Sequence, residues 1–185
     1  MIDELLQDAR EHMDKSVDAT RQKFTSVRAG RANPSLLDRV TVEYYGTMTP
    51  LRQMATLSAP EARLLTIQPY DKSSLKAIEK AITASDLGLT PNNDGALIRL
   101  VIPELTEERR RDLVKVVRGI TEEGKVALRN IRRDVMHDLK ELKDAGEAGA
   151  DDEHRAEEAL QKLTNDKVAE LEALLKAKEA EITEV

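Results

Sequence analysis

The stretch from Val27 to Val40, VRAGRANPSLLDRV, separates two kinds of sequence pattern and therefore decides how the chain is divided. Apolar residues recur every three or four positions before it, whereas β-branched residues and tyrosines follow it closely. Gly30 suits the left-handed backbone position that commonly follows a helix, and Pro34 cannot continue a helix. We therefore expect a helix that ends at Gly30 and a change of structure after Asn33 and Pro34.

The segment before this boundary has the pattern of one amphipathic helix. Apolar side chains separated by three or four positions share one face of a helix. In residues 1–30 those positions are Ile2, Leu5, Leu6, Ala9, Met13, Val17, Phe24 and Val27. This spacing predicts a long first helix with one buried face.

Residues 31–104 have the mixed pattern of a small α+β unit. The run RVTVEYYGTMTPL predicts a hairpin that turns at Gly46, and ARLLTIQPY predicts another extended segment that stops near Pro69. Asp71 is placed to cap a short helix that ends at Gly88. The buried side of that helix would consist of Leu75, Ile78 and Ile82. The strings LGLT and ALIRLVIP, separated by PNNDG, predict a final hairpin.

The remainder of the chain returns to a helical pattern. Thr106 is placed as the N-cap of a helix about 60 Å long, whose apolar positions are Leu113, Val117, Ile120, Leu128, Ile131, Val135, Leu139 and Leu142. Gly146 and Gly149 predict a turn, after which Asp151 or Asp152 would cap a last helix. The apolar positions of that helix are Ala156, Leu160, Leu163, Leu171, Leu174 and Ile182.

These patterns predict a two-domain α and α+β protein. Residues 1–30 and 105–185 would form an antiparallel three-helix bundle, because short connections favour antiparallel neighbours. Residues 31–104 would form a small β/α/β domain inserted into the bundle sequence. The links near residues 30–34 and 103–105 carry prolines, and we expect them to act as hinges in an elongated molecule with two arms.

The composition argues against several classes of site. The chain of 185 residues contains no cysteine, which excludes disulfides and thiolate metal sites. It has no GxxxxGK[ST] loop, and His12, His137 and His154 are scattered without metal-ligand spacing. We therefore expect no catalytic residue, no metal and no cofactor. No apolar run approaches membrane-spanning length and no leader is evident, which predicts a soluble cytoplasmic protein without a membrane partner.

The net charge of −6 conceals an uneven distribution, because residues 151–185 hold 11 acidic and 5 basic residues. In the segment RRRDLVKVVRGITEEGKVALRNIRRD, one helix face beside the apolar face carries the basic stripe: Arg111, Lys115, Arg118, Lys125, Arg129 and Arg132. Aromatic residues, which would stack on unpaired bases, make up only 2% of the chain. The basic stripe therefore favours docking to the phosphate backbone of structured RNA. Gly124, on the apolar face, predicts close helix packing.

Three other interpretations stay open at this point. The basic stripe could be a solvated face paired with acids such as Glu122 and Asp134, since exposed ion pairs are common and weak. The bundle could be a structural adaptor that binds other proteins, as coiled coils do. A third alternative is an enzyme with a site in the small domain, at Tyr44, Tyr45 or Tyr70.

Four strings in chain order resemble the bacterial ribosome recycling factor family: VRAGRANPSLLD, VEYYGTMTPL, NDGALIRLVIPELTEERRRDLVK and EEGKVALRNIRRD. The resemblance covers essentially the whole chain. It implies an L-shaped protein, similar in outline to a transfer RNA, with a three-helix bundle and a β/α/β domain joined by flexible linkers, and we expect this protein to be a monomer. It also implies a non-enzymatic factor that binds the post-termination 70S ribosome. With elongation factor G, which hydrolyses GTP, such a factor splits the ribosome into subunits and so allows release of mRNA and deacylated tRNA.

The resemblance also implies which residues carry this function. Carried over to this sequence, contacts to large-subunit ribosomal RNA fall on Arg28, Arg31, Arg129 and Arg132. Further candidates nearby are Arg110, Lys125 and Arg133. The hinge would consist of Gly30, Arg31, Asn33, Pro34, Pro103, Glu104 and Leu105. The small domain would be the part that meets elongation factor G.

Overall fold

A computed structural model describes residues 1–184, and the chain divides into two compact units. The larger unit consists of Met1–Ala29 and the chain from Glu107 onward, and the smaller unit is Gly30–Thr106. Gly30, Leu105 and Thr106 thus group with the smaller unit rather than with the helices that they adjoin. Gly30 packs so closely on Leu105 that an added Cβ atom would lie 2.8 Å from its Cγ atom.

The elements follow one another in a simple order. The helices are α1 (Ile2–Thr25), α2 (Leu51–Met54), α3 (Leu75–Ala84), α4 (Glu107–Asp144) and α5 (Ala150–Thr183). The strands are β1 (Thr41–Tyr44), β2 (Thr47–Pro50), β3 (Ala55–Glu61), β4 (Leu64–Pro69), β5 (Pro91–Asn93) and β6 (Ile98–Val101). Two short 3₁₀ helices span Pro34–Leu37 and Lys72–Ser74. Within residues 1–184, every helix is too short or too polar to cross a lipid bilayer.

The larger unit is a three-helix bundle, as the apolar spacing predicted. Its core consists of Ala9, Met13 and Val17 from α1, Leu128, Val135 and Leu139 from α4, and Ala156, Leu160, Leu163 and Leu171 from α5. α4 and α5 run antiparallel, since successive ion pairs join Lys143 to Glu153, Lys125 to Glu172, and Arg118 to Glu179. α4 contains 38 residues, and its length is therefore about 57 Å.

The three helices pack closely together at Gly124. It is buried on α4. An added Cβ atom would lie 2.6 Å from Oγ1 of Thr20 on α1 and 3.1 Å from Cδ1 of Leu171 on α5. A side chain at this position would therefore push all three helices apart. The prediction that Gly124 permits close packing is confirmed.

The smaller unit packs two antiparallel sheets with α3 around its own core. One sheet is the β1–β2 hairpin, and the other has the strand order β3-β4-β6-β5. Neighbouring strands β4 and β6 pair Leu65 with Leu100 and Ile67 with Ile98, and all four side chains are buried. The buried face of α3 packs on the same core through Leu75, Ile78 and Ile82, as predicted.

Three predicted helix boundaries are wrong. α1 ends at Thr25 rather than at Gly30, because the Thr25 and Ser26 hydroxyls donate hydrogen bonds to the Gln22 and Lys23 carbonyl oxygens and compete with the helical ladder. α3 similarly ends at Ala84, before Gly88. α5 begins at Ala150 with Gly149 as its N-cap, and so Asp151 and Asp152 lie in the first turn, where carboxylates favour the helix dipole.

The predicted strands are correct in part. The β1–β2 hairpin turns at Tyr45 and Gly46, which both have positive φ angles, as expected of a two-residue turn. The last hairpin uses Pro91–Asn93 as its first strand instead of LGLT, because the Asp94 carboxylate accepts hydrogen bonds from the backbone of Ala96 and Leu97 and fixes the turn there. α2 and β3 were not predicted.

Candidate nucleic-acid interface

Half of the basic stripe is neutralised within the molecule. Arg111 pairs with Glu107 one turn earlier on α4. The Arg118 Nε atom lies 2.6 Å from Glu179 Oε1 on α5. Lys125 Nζ lies 3.4 Å from Glu122 Oε1 and 3.2 Å from Glu172 Oε1. These three cations are therefore poor candidates for binding an external phosphate, because each would have to give up a carboxylate partner.

The other half of the basic stripe keeps its charge. Within residues 1–184, no carboxylate lies within ion-pair distance of Lys115, Arg129 or Arg132. Lys115 and Arg129 are exposed, and Arg132 is half-buried. Arg129 and Arg132 are three positions apart on α4 and therefore share one face. The structure thus leaves Arg129 and Arg132, both selected from the sequence, without a carboxylate partner among residues 1–184.

Arg132 is held in place by a neutral side chain. Its guanidinium Nη1 donates a hydrogen bond of 2.7 Å to Oε1 of Gln161 on α5. The Gln161 amide nitrogen donates in turn to Oδ1 of Asn165, at 2.8 Å. A guanidinium has five N–H donors, so Arg132 retains donors for a further acceptor.

Lys125 differs from the arginines in its surroundings. Its side chain is only 15% exposed. Burial lowers the pKa of Lys125. Hydrogen bonds from its ammonium to Glu172 and Glu122 raise the pKa by more than burial lowers it, so that the pKa lies above its ordinary value. The Lys125 ammonium therefore joins α4 to α5 within the bundle rather than pointing into solvent.

The remaining predicted RNA contacts lie outside this pair of arginines. Arg28 follows α1 in the larger unit, whereas Arg31 belongs to the smaller unit, and both are exposed. Arg110 lies in the first turn of α4. Arg133 is exposed, and its guanidinium contacts the carboxylate of its neighbour Asp134 at 3.1 Å.

Several predicted hinge residues have defined contacts within the smaller unit. The Asn33 side chain accepts a hydrogen bond from the Ser35 backbone and caps the 3₁₀ helix that Pro34 begins. Glu104 forms an ion pair of 3.5 Å with Arg63. Gly30 has a φ angle of +73° and packs on Leu105. The chain passes between the units through residues without helix or strand, at 26–33 and 102–106.

The tyrosines considered as a catalytic alternative are not arranged as a reactive group. The Tyr44 hydroxyl donates a hydrogen bond of 2.7 Å to Asp71 Oδ2, which raises the pKa of Tyr44 to about 12. A phenol held protonated in this way is a poor nucleophile or general base near neutral pH. Tyr45 and Tyr70 are 84% and 72% exposed, and so neither lies in a cleft. Among residues 1–184, no group of three or more His, Cys, Asp or Glu could hold a metal ion.

Sequence reasoning missed the contribution of α5 to this interface. Gln161 lies 29 residues beyond Arg132, and a single glutamine on an exposed helix face carries no signal by itself. Similarly, the glutamates that neutralise Arg118 and Lys125 lie on α5. Only the packing of two helices reveals which basic residues keep their charge.

Comparison with known proteins agrees with this architecture. Residues 20–183 match the model of the family described as "Ribosome recycling factor". The chain is 56% identical to the ribosome-recycling factor of Geobacillus kaustophilus over 185 residues, which is 100% of both chains. It is 55% identical to that of Rubrobacter xylanophilus over 180 residues, 97% of each.

Two solved structures have the same fold. A solution structure of the ribosome recycling factor gives a TM-score of 0.77 at 39% identity and covers 100% of this chain and 98% of the other. A second match, with a TM-score of 0.66 at 47% identity and 100% coverage of both chains, belongs to models of the T. thermophilus ribosome recycling factor and E. coli elongation factor G bound to the E. coli post-termination complex. The chain belongs to the ribosome recycling factor family, whose members are non-enzymatic translation factors.

Proposed function

We propose that this chain recycles ribosomes in the cytoplasm as a monomer. It binds the post-termination 70S ribosome and, together with elongation factor G and GTP, splits it into subunits, so that mRNA and deacylated tRNA are released. Support comes from family membership and from the T. thermophilus relative, which is described on the post-termination complex together with elongation factor G. The chain itself carries out no bond chemistry in this scheme.

In this proposal, arginine side chains bind the large-subunit ribosomal RNA. Arg129 and Arg132 make the principal phosphate contacts on the bundle, because their charges have no carboxylate partner in residues 1–184. Arg28 and Arg31 contribute further contacts, each from its own unit. Arg110 and Arg133 play a lesser part, and Lys125 acts chiefly within the bundle.

The mechanism that we propose is mechanical. Elongation factor G acts on the smaller unit, while the bundle stays docked on ribosomal RNA. The connections around Gly30, Arg31, Asn33 and Pro34, and around Pro103, Glu104 and Leu105, act as the hinge. Helices of 38 and 34 residues, packed along a continuous apolar core, would transmit force against the contacts between ribosomal subunits.

The test is subunit splitting of post-termination ribosomes, followed by light scattering, with elongation factor G and GTP present. We expect Arg129→Ala/Arg132→Ala to lower the splitting rate at subsaturating protein by at least about tenfold, since two phosphate contacts are lost. The matched control is Arg111→Ala/Arg118→Ala, which removes equal charge from the same basic stripe at positions already neutralised by glutamates. If both double variants lose activity equally, general charge rather than these two arginines drives docking.

A further inference from the structure

We propose that Gln161 is a positioning residue for Arg132: it orders the guanidinium for a phosphate contact and leaves its charge intact. The inference rests on the RNA docking proposed above and adds a residue from a second helix to it. Its basis is the hydrogen bond of 2.7 Å from Arg132 to Gln161 Oε1 across the α4–α5 interface.

The chemistry of the partner distinguishes Arg132 from its neighbours in the basic stripe. Arg118 and Lys125 also reach across to α5, but they meet the carboxylates of Glu179 and Glu172. A carboxylate partner orders the cationic side chain but also neutralises its charge. An amide oxygen orders the guanidinium while the full positive charge remains available to attract phosphate.

The orientation of the Gln161 amide is set by a third residue. Its nitrogen donates to Oδ1 of Asn165 at 2.8 Å, one turn further along α5. The Gln161 oxygen must therefore face Arg132, which can only donate hydrogen bonds. Asn165, Gln161 and Arg132 form a directed chain of hydrogen bonds that ends on the cation.

Ordering Arg132 in the free protein reduces the side-chain entropy lost on docking. Long arginine side chains lose much rotamer freedom when they are fixed at an interface. Removal of the Gln161 amide should therefore weaken binding by about three- to tenfold, because roughly one rotamer-rich side chain must then be ordered on the ribosome. The effect should depend entirely on the presence of Arg132.

A double-mutant cycle tests this dependence with the full-length protein and isolated large ribosomal subunits. Gln161→Ala should weaken binding to the subunits in the wild-type background and should change nothing in the Arg132→Ala background. Equal weakening in both backgrounds would mean that Gln161 acts without Arg132, and no weakening in either would mean that it does not act at all. Each of these two results overturns the inference.

Gln161→Glu separates positioning from simple structural support. The substitution keeps the shape of the side chain but places a carboxylate beside Arg132. We expect unchanged or higher thermal stability, weaker binding, and a dependence of log K on log salt concentration that is shallower by about one unit. Gln7→Glu on α1 adds the same charge at an exposed position on another helix and should leave the salt dependence unchanged.

The outcomes distinguish this inference from the function on which it rests. If Arg132→Ala weakens binding but Gln161→Glu keeps the full salt dependence, the docking proposal stands and the positioning role is wrong. If Arg132→Ala itself binds large subunits as tightly as the wild-type protein, the docking proposal fails and the role of Gln161 fails with it.

Discussion

Gly124 on α4 lies so close to Thr20 on α1 that a Cβ atom at position 124 would be 2.6 Å from the Thr20 hydroxyl oxygen. Thr20 is buried and its hydroxyl donates a hydrogen bond to the Ser16 carbonyl oxygen, and so it has little freedom to move. We expect Gly124→Ala to destabilise the protein by about 1–2 kcal/mol, since the cost of overpacking exceeds the gain in helix propensity.

The same helix contains the control for this prediction. Gly119 is exposed on α4, and an added Cβ atom would meet nothing within 4 Å. Gly119→Ala should therefore stabilise the protein by up to about 1 kcal/mol. Urea unfolding of both variants measures the difference. If Gly124→Ala proved as stabilising as Gly119→Ala, the close contact of the three helices would be wrong.

Gly30 combines two constraints that can be separated by substitution. Gly30→Ala forces an alanine into a φ angle of +73° and against Leu105 Cγ, whereas Gly88→Ala meets a similar φ angle of +67° in open space. We expect both variants to lose about 1–2 kcal/mol from backbone strain, and Gly30→Ala to lose more because of the contact. Equal denaturation midpoints for the two variants would show that the Leu105 side chain can move away from position 30 without a cost in stability.

The hydrogen bond from Tyr44 to Asp71 makes a prediction about pH. It raises the pKa of Tyr44 to about 12, and this bond together with those from Ser73 lowers the pKa of Asp71 below its ordinary value. Its contribution to stability is therefore present between about pH 4 and pH 10. It is lost as the pH falls through the lowered pKa of Asp71 or rises toward the raised pKa of Tyr44.

The variant Tyr44→Phe measures that contribution. Its melting temperature should lie below that of the wild-type protein near neutral pH, and the difference should shrink at both extremes of pH. The wild-type protein should also show a step in tyrosinate absorbance near pH 12 that the variant lacks. A difference in melting temperature that stays constant from pH 3 to pH 11 would contradict the assignment.

Lys125 should behave as a residue of the bundle rather than of the interface. Lys125→Ala leaves Glu122 and Glu172 without their shared cation, and we expect a lower melting temperature. The salt dependence of binding to large ribosomal subunits should stay the same, since the Lys125 charge is already compensated. A shallower dependence would instead place Lys125 among the phosphate contacts.

Structural features that arise from a regular repeat along the chain could be predicted from the sequence. The apolar faces of α1, α4 and α5 follow from regular spacing over 24, 38 and 34 residues. The β1–β2 hairpin follows from a glycine turn between two β-type runs. β3 was not predicted because it is a mostly exposed strand at the edge of its sheet, and burial alternates only over Ala55–Ser58 before an exposed end that contains Pro60.

Of the candidate interface, only the basic stripe could be predicted from the sequence. The spacing of Arg129 and Arg132 places both on one helix face, and the sequence identified them. Which basic residues remain uncompensated depends on side chains of α5, such as Gln161 and Glu179, that become neighbours only when α4 and α5 pack together. The helical periodicity of α4 carries no information about which side chains of α5 will lie beside it.

The role of Arg129 and Arg132 in docking is tested most directly by the binding of the intact protein to isolated large ribosomal subunits as a function of salt concentration. For the wild-type protein we predict a steep linear fall of log K with log salt concentration, and for Arg129→Ala/Arg132→Ala a slope that is shallower by about two units. Arg111→Ala/Arg118→Ala should keep nearly the wild-type slope, because glutamates already neutralise those two residues. Equal slopes for the wild-type protein and Arg129→Ala/Arg132→Ala would contradict the claim that these arginines dock the bundle on ribosomal RNA.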